Sequence, residues 1–418
     1  MRILIFSNSS YGGWGYAIVS KYVAKGLREH GFEPIMFGMQ TIGKVIKDEY
    51  GTMNLPLFFD AWGSDALSSY IKAYSIDCLL TIVDMWVANL SYVPRVVRKY
   101  NIPWVCHVTI NSAPLSPYLK ERISAADLLV APSRFNYEVL ANAGLGNKTV
   151  YIPHGINLNI FKKDEKLRAE VRKRLGYEDK FVYLCVARNK GFQKNFPALF
   201  LAYKLVIENY PELKEKTLLH VHAYPTEPEG MNLLLLRDAL GLKDNIKFSW
   251  VRPIGDEIEI CSEKDENAMI HQPNFGLSER KMAEVYNMAD CFVIATKGES
   301  FCLPILEAMA CGLPVIMPDH TVANELVKEN KTGLVAKLRG TETTPLISDT
   351  FLVDEFSLAS QMVRIYQYED LRKECIRNAQ LFVRNYSWDN IIKLWVDLFN
   401  RVRDDLLTVD YGRGRLGI

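Results

Sequence analysis

The strongest constraint on this chain of 418 residues is an alternation of short apolar runs with amphipathic stretches, and the alternation occurs twice. Arg2–Phe6 is largely apolar and Ser7–Gly15 is a polar loop. Tyr16–His30 then has helical apolar spacing through Ile18, Tyr22, Val23 and Leu27, with Gly31 as its stop. Strand-like runs follow at Glu33–Phe37, Leu79–Val83, Trp104–Thr109, Leu128–Ala131 and Thr149–Ile152. This order predicts a parallel sheet with helices on both faces. After Phe161 the chain turns charged, Lys162-Lys163-Asp164-Glu165-Lys166-Leu167-Arg168, and the pattern restarts with Phe181–Ala187, a loop, and a helix through Ala198–Asn209. Further strands are expected at Thr217–His222, Ile246–Trp250, Cys291–Ala295 and Pro314–Met317. The expectation is therefore an α/β protein of two doubly wound, Rossmann-like domains, residues 1–163 and 164–388, without a sequence repeat. A last helix is predicted over about 389–406. Segments Pro253–Asn274 and Arg339–Thr350 break the alternation and read as surface loops or hairpins.

Composition narrows the function. With 49% hydrophobic and 24% charged residues the chain is neither disordered nor fibrous. A net charge of +1 argues against a nucleic-acid binder. Residues 1–163 carry a net +5 and the remainder −4, which suits an anionic acceptor or a membrane surface, although a solvated face is the simpler reading. The trio Arg95, Arg98 and Lys99 would serve a peripheral membrane contact, and the outer face of a helix explains it more simply. The eight cysteines form no C-x-x-C pair and fall mostly in apolar runs, as buried thiols of a cytoplasmic protein would. Met1–Phe6 is too short for a secretory leader, and no apolar stretch reaches the length of a membrane span.

The richest chemistry lies in Lys297–Pro318, K-G-E-S-F-C-L-P-I-L-E-A-M-A-C-G-L-P-V-I-M-P. A buried strand feeds a loop, and a helix begins near Pro304 and ends at Gly312. Glu299 falls in the loop and Glu307 early in the helix, at the carboxyl edge of a parallel strand where open α/β sheets bind ligands. Two carboxylates there suit a polyol, and the backbone N–H groups around Ser300, Phe301, Cys302 and Leu303 would present donors to an anion or to hydroxyls. Taken alone, two glutamates eight apart are as well explained by a solvated residue and a helix-dipole partner. The loop Arg188-Asn189-Lys190-Gly191-Phe192-Gln193-Lys194 sets two cations where a pyrophosphate can be neutralised. Gly12 and Gly13 follow the first strand and permit close backbone approach to a ligand, although a plain tight turn also explains them and no G-x-G-x-x-G can be placed. His107, near the end of an apolar strand, reads by itself as a core residue. No His, Cys or Asp cluster has metal-ligand spacing, so no metal site is assigned.

Together these segments resemble the retaining GT-B glycosyltransferases of family 4, with their Glu, seven residues, Glu signature. The resemblance extends to the early Gly-Gly loop, to Ala131-Pro132-Ser133, to Ile152-Pro153-His154-Gly155-Ile156-Asn157 with Phe161, and to Tyr386-Ser387-Trp388. It implies two domains facing across a cleft, with the helix at about 389–406 packed back on the first. Arg188 and Lys194 would hold a donor diphosphate, Glu307 the ribose and Glu299 the transferred sugar. Gly12 and Gly13 would face the phosphates, and His107 would contact the sugar. The implied reaction moves a sugar from a nucleotide diphosphate sugar to a glycan, lipid-linked or small-molecule acceptor, with no metal or other cofactor. The chain departs from the family at Ser300 and Cys302, where glycines are usual, at His154, where Asn is common, and at Ala223-Tyr224-Pro225, where a glycine usually follows the strand. A UDP-sugar 2-epimerase would need further acid/base carboxylates that the sequence does not offer, and a catalytically silent sugar-binding protein would not need all four of Arg188, Lys194, Glu299 and Glu307.

Overall fold

The structure, a computed structural model, describes residues 1–85, 90–251, 258–260 and 277–408. It divides into two units, one comprising residues 1–155, 345–348 and the chain from 387 onward, the other residues 156–344 and 349–386.

The first unit opens with β1 (Arg2–Ser7), whose Ile3, Leu4, Ile5 and Phe6 are all wholly buried, as expected of a parallel strand covered on both faces. Helix α1 (Gly15–Glu29) returns the chain to β2 (Glu33–Ile42), β3 (Ile46–Lys47) and β4 (Met53–Leu57). Then come α2 (Leu67–Ala73), β5 (Cys78–Ile82), α3 (Val93–Tyr100), β6 (Trp104–His107), α4 (Pro117–Ile123), β7 (Leu128–Ala131), α5 (Arg134–Asn142) and β8 (Thr149–Tyr151). The strand order is β3-β4-β2-β1-β5-β6-β7-β8, parallel except for β3. β2 runs past its predicted end, and β3 and β4 are not among the predicted strands. Asn54 and Pro56 disguise β4, and Asn54 is spent on the loop after β1, where its Oδ1 accepts the Ser10 N–H at 2.9 Å. Ser133 earns its place in Ala131-Pro132-Ser133 as the cap of α5, accepting the Asn136 N–H at 3.2 Å. The Asn136 side chain in turn brackets the Ile110 N–H and carbonyl at 2.9 and 2.8 Å.

The second unit begins with α6 (Glu165–Leu175), capped by Asp164 and ended by Gly176 in the left-handed region. It continues through β9 (Phe181–Val186), α7 (Phe196–Asn209), β10 (Thr217–His222), α8 (Leu233–Ala239), β11 (Ile246–Val251) and β12 (Ile258–Ile260). Next are α9 (Glu279–Asn287), β13 (Cys291–Val293), α10 (Leu303–Ala310), β14 (Val315–Pro318) and β15 (Gly333–Ala336). The hairpin β16 (Leu338–Thr343) and β17 (Asp349–Val353) precedes α11 (Glu355–Gln367) and α12 (Glu369–Phe382). This sheet runs β12-β11-β10-β9-β13-β14-β15, parallel except for β12. The predicted irregular segment 339–350 is the greater part of that hairpin. Segment 253–274 lies outside the described residues apart from β12.

The chain closes with α13 (Trp388–Thr408), which belongs to the first unit and packs on α1. Trp388 stacks on Tyr22 at 4.8 Å between ring centroids, and Gly26 leaves room for Ile392. Gly155 is required for the same reason, since a Cβ there would lie 2.4 Å from the Trp388 ring. Gly155→Ala should displace that ring and cost about 1–3 kcal/mol, read as a lower urea midpoint at unchanged slope. An unaltered midpoint would show that the ring is not fixed by this contact.

Candidate active site

In the seven-stranded sheet of the second unit the strand order reverses between β9 and β13. Crevices at such points, outside the carboxyl ends of the strands, are where open α/β sheets take ligands. The loops leaving these two strands carry six of the predicted residues, Arg188, Lys194, Glu299, Ser300, Phe301 and Cys302. Lys194 Nζ lies 2.7 Å from Glu299 Oε1, across 105 residues of sequence. Both are largely buried. Burial works against the Lys194 charge, but the adjacent Glu299 more than offsets it and the ammonium pKa is raised. The loops are tied twice more, by Gln193 Nε2 donating to the Gly298 carbonyl at 2.9 Å and by the Lys297 N–H donating to the Gln193 carbonyl at 2.8 Å.

Arg188, just past β9, is half-exposed and donates to Glu227 at 2.8 Å, with Glu229 at 3.7 Å. Lys190 pairs with Glu229 at 2.9 Å. Asn189 fixes this arrangement, donating to the Met231 carbonyl at 2.7 Å and accepting the Met231 N–H at 3.1 Å, so that residues 225–231 fold back on the cationic loop. Gly230 is obligatory there, because a Cβ would lie 2.0 Å from the Asn189 carbonyl.

Glu307 sits in α10 and is buried, accepting the Tyr286 hydroxyl at 2.5 Å. Burial pushes its carboxyl up to about 7, the Tyr286 hydrogen bond opposing part of the shift. Cys302 precedes α10 as its N-cap residue in the left-handed region at φ 72, and the Cys302 and Leu303 amides have no intrahelical acceptor. The Phe301 and Leu303 side chains are buried, so these positions can offer a ligand only backbone. Ser300 is partly exposed in the same turn.

Glu299 is seated from a third side. Its N–H donates to Thr321 Oγ1 at 3.2 Å, and His320 Nδ1 lies 3.0 Å from the same oxygen. His320 Nε2 faces the Thr296 carbonyl at 2.5 Å and must be the donor there, so Nδ1 accepts the Thr321 hydroxyl proton and the chain has one direction. Burial lowers the His320 pKa, which keeps the ring neutral. Thr321 holds φ 39, a conformation costly for a β-branched residue and stored beside the candidate site.

Two predicted positions differ from expectation. His107 is wholly buried and is not presented to a sugar. Its Nε2 lies 3.0 Å from His154 Nε2, its ring stacks on His154 and Trp395, and burial lowers its pKa to about 3. Gly12 is covered, since a Cβ there would lie 2.4 Å from the Trp14 ring and its N–H closes a turn on the Ser9 carbonyl at 3.0 Å. The space at Gly12 therefore serves packing, and only Gly13 stays partly exposed. Tyr286, Glu227, His320 and Thr321 are absent from the sequence reading. Tyr286 is one more apolar position of an amphipathic helix, and the others lie in irregular chain whose neighbours only folding reveals.

Across the chain this architecture is that of the GT-B fold. The sucrose-phosphate synthase (tll1590) from Thermosynechococcus elongatus superposes with a TM-score of 0.72 at 17% identity, covering 97% of this chain and 99% of that one. Anabaena Alr3699/HepE in complex with UDP-glucose gives 0.71 at 17% identity over 96% and 99%. These likenesses establish the fold. In sequence, residues 271–344 match the family described as Glycosyl transferases group 1. The D-inositol 3-phosphate glycosyltransferase of Actinosynnema mirum is 26% identical over 289 residues, which span 68% of this chain and 59% of that relative's length.

The raised Glu307 pKa predicts a pH signature. The folded carboxyl binds its proton more tightly than the unfolded one, whose ordinary value is 4.5. Its contribution to stability is therefore complete below pH 4.5 and is lost as pH rises through about 7, on the order of 3 kcal/mol in all. The melting temperature of the nucleotide-free protein should fall, relative to Glu307→Gln, across that window and run parallel above it. Parallel curves throughout would mean that Glu307 is ionised as in water.

Proposed function

We propose that this protein is a retaining glycosyltransferase that moves a sugar from a nucleoside diphosphate sugar to a glycan, lipid-linked or small-molecule acceptor. The observation that carries the reading is the Lys194–Glu299 pair at the strand-order reversal of the second unit, with Arg188 on the same loop as Lys194. A donor diphosphate entering there competes with Glu227 for Arg188 and with Glu299 for Lys194. Arg188 then makes bidentate contacts to phosphate, and Lys194 supplies a compact positive charge. Glu299, relieved of Lys194, accepts hydroxyls of the transferred sugar, and Glu307 accepts those of the ribose. Amides at Cys302 and Leu303 face the phosphates from the start of α10. The match of residues 271–344 to the glycosyl transferases group 1 supports the reading.

In the reaction the bond from the anomeric carbon to the diphosphate oxygen breaks, and the acceptor oxygen bonds to that carbon on the same face. The acceptor's proton passes to a departing phosphate oxygen. Arg188 and Lys194 hold the charge that develops on the leaving group, the task that a metal ion performs elsewhere, so no metal is required. His107, enclosed by His154 and Trp395, takes no part.

Arg188→Ala and Lys194→Ala should each lower kcat by about 10²-fold or more, as does loss of a preorganised electrostatic contact, while Glu307→Ala should chiefly weaken donor binding. Unchanged turnover in all three would refute the site. The anomeric configuration of the product, read by NMR, should match that of the donor, and inversion would refute the mechanism. Of UDP, GDP, ADP and dTDP, one should raise the melting temperature in the presence of a chelator. Binding without turnover on any acceptor would favour a silent sugar-nucleotide protein.

A further inference from the structure

On one flank of the first unit the loop after β4 presents Phe58, Phe59 and Trp62 to water, and Phe59 is fully exposed. The loop is ordered. Asp65 accepts the N–H groups of Phe59 and Asp60 at 2.9 and 3.1 Å, and Asp60 accepts those of Trp62 and Ser64 at 3.0 and 2.9 Å. Phe58 packs on Tyr70 of α2 at 5.3 Å, and the Tyr92 hydroxyl donates to the Trp62 carbonyl at 3.2 Å. Ile42, paired in register with Leu57, and Val45 extend the exposed apolar surface. A solitary exposed apolar residue is ordinary, whereas a fixed cluster of this kind marks an interaction surface.

Cations border the cluster on both sides. Lys44 and Lys47 lie beside Ile42 and Val45 and are exposed. On the other side α3 buries Val93, Val96 and Val97 and turns Arg95, Arg98 and Lys99 outward. Lys99 reaches Ser68 of α2 at 3.4 Å, which joins this basic face to the helix that Phe58 packs against. Arg95 and Arg98 make no ion pair among the described residues. The acids of the loop itself, Asp60 and Asp65, are occupied by backbone amides.

Rigid aromatic and aliphatic side chains flanked by unpaired lysines and arginines have the chemistry of a membrane-water interface, where aromatic rings sit at the headgroups and cations meet lipid phosphates. A carbohydrate platform would set carboxylates and amides beside the rings to take hydroxyls, and here the polar neighbours are cations. We propose that this flank docks the protein peripherally on an anionic lipid surface, with Phe59 and Trp62 entering the headgroup region. The proposal stands apart from the reaction proposed above.

Vesicle flotation of the full chain tests it, with phosphatidylcholine alone and with about one third phosphatidylglycerol. The protein should bind only the anionic vesicles, and less as salt rises from about 0.1 to 0.5 M. Each cation at such a surface contributes roughly fivefold to partitioning, so Arg95→Glu with Arg98→Glu should lower binding by at least about 25-fold. Phe59→Ser should lower it about tenfold with an unchanged melting temperature. Absence of wild-type binding to the anionic vesicles would overturn the proposal, as would equal binding by the variants. Loss of turnover on a soluble acceptor in Phe59→Ser, with vesicle binding kept, would reassign the loop to the acceptor.

Discussion

The candidate site depends on one ion pair, Lys194 with Glu299. Burying either charge alone would cost several kcal/mol, and the pair is tolerable because the two meet at 2.7 Å. That meeting demands that β9 and β13 be neighbours, although 105 residues separate the two side chains in sequence. The reversal of strand order is therefore a condition for the chemistry as well as a feature of the fold. The ties from Gln193 to Gly298 and Lys297 hold both loops in the same register. Such a site is set before a ligand arrives, which is how fixed charges avoid reorganisation cost during a reaction.

The same pairing sets what can enter. Arg188 and Lys194 are both engaged by carboxylates, one through Glu227 and the other through Glu299. A singly charged anion competes poorly for either. In the reaction proposed above, a diphosphate would bring enough charge and enough oxygens to take both cations together, and the carboxylate released from Lys194 would become an acceptor for sugar hydroxyls. On that proposal, selectivity for a diphosphate ester follows from the competing acids as much as from the cations.

The sheets were legible in the sequence wherever a strand is apolar on both faces. β7 and β10 lie at their predicted bounds, because parallel central strands read as continuous apolar runs. β4 was hidden by Asn54, whose role is local hydrogen bonding, and by Pro56, which has no N–H to give to a ladder. In the site, the charged residues stood out because Arg, Lys and Glu next to strand ends need a reason to be there. Their partners did not. Glu227 reaches Arg188 only because Asn189 draws residues 225–231 back over the loop, and the direction of the His320–Thr321–Glu299 chain is set by one carbonyl, that of Thr296. Spacing along a chain carries no trace of such contacts.

His107 and His154 show how two separate sequence puzzles can have one physical answer. A histidine on an apolar strand and a histidine in place of the usual Asn before Gly155 look unrelated. Folding puts their Nε2 atoms 3.0 Å apart in a buried, stacked pair. One nitrogen must donate and the other accept, so the accepting ring is neutral, and with both rings neutral their tautomers are complementary. Burial lowers the pKa of each, and a charge on His107 would further oppose one on His154. Each residue thus accounts for the other's presence as a polar group in the core. A proton-transfer role for His107 would require breaking this pair and charging an imidazole where water does not reach, a cost that the cationic loop of the second unit, already positioned, does not impose.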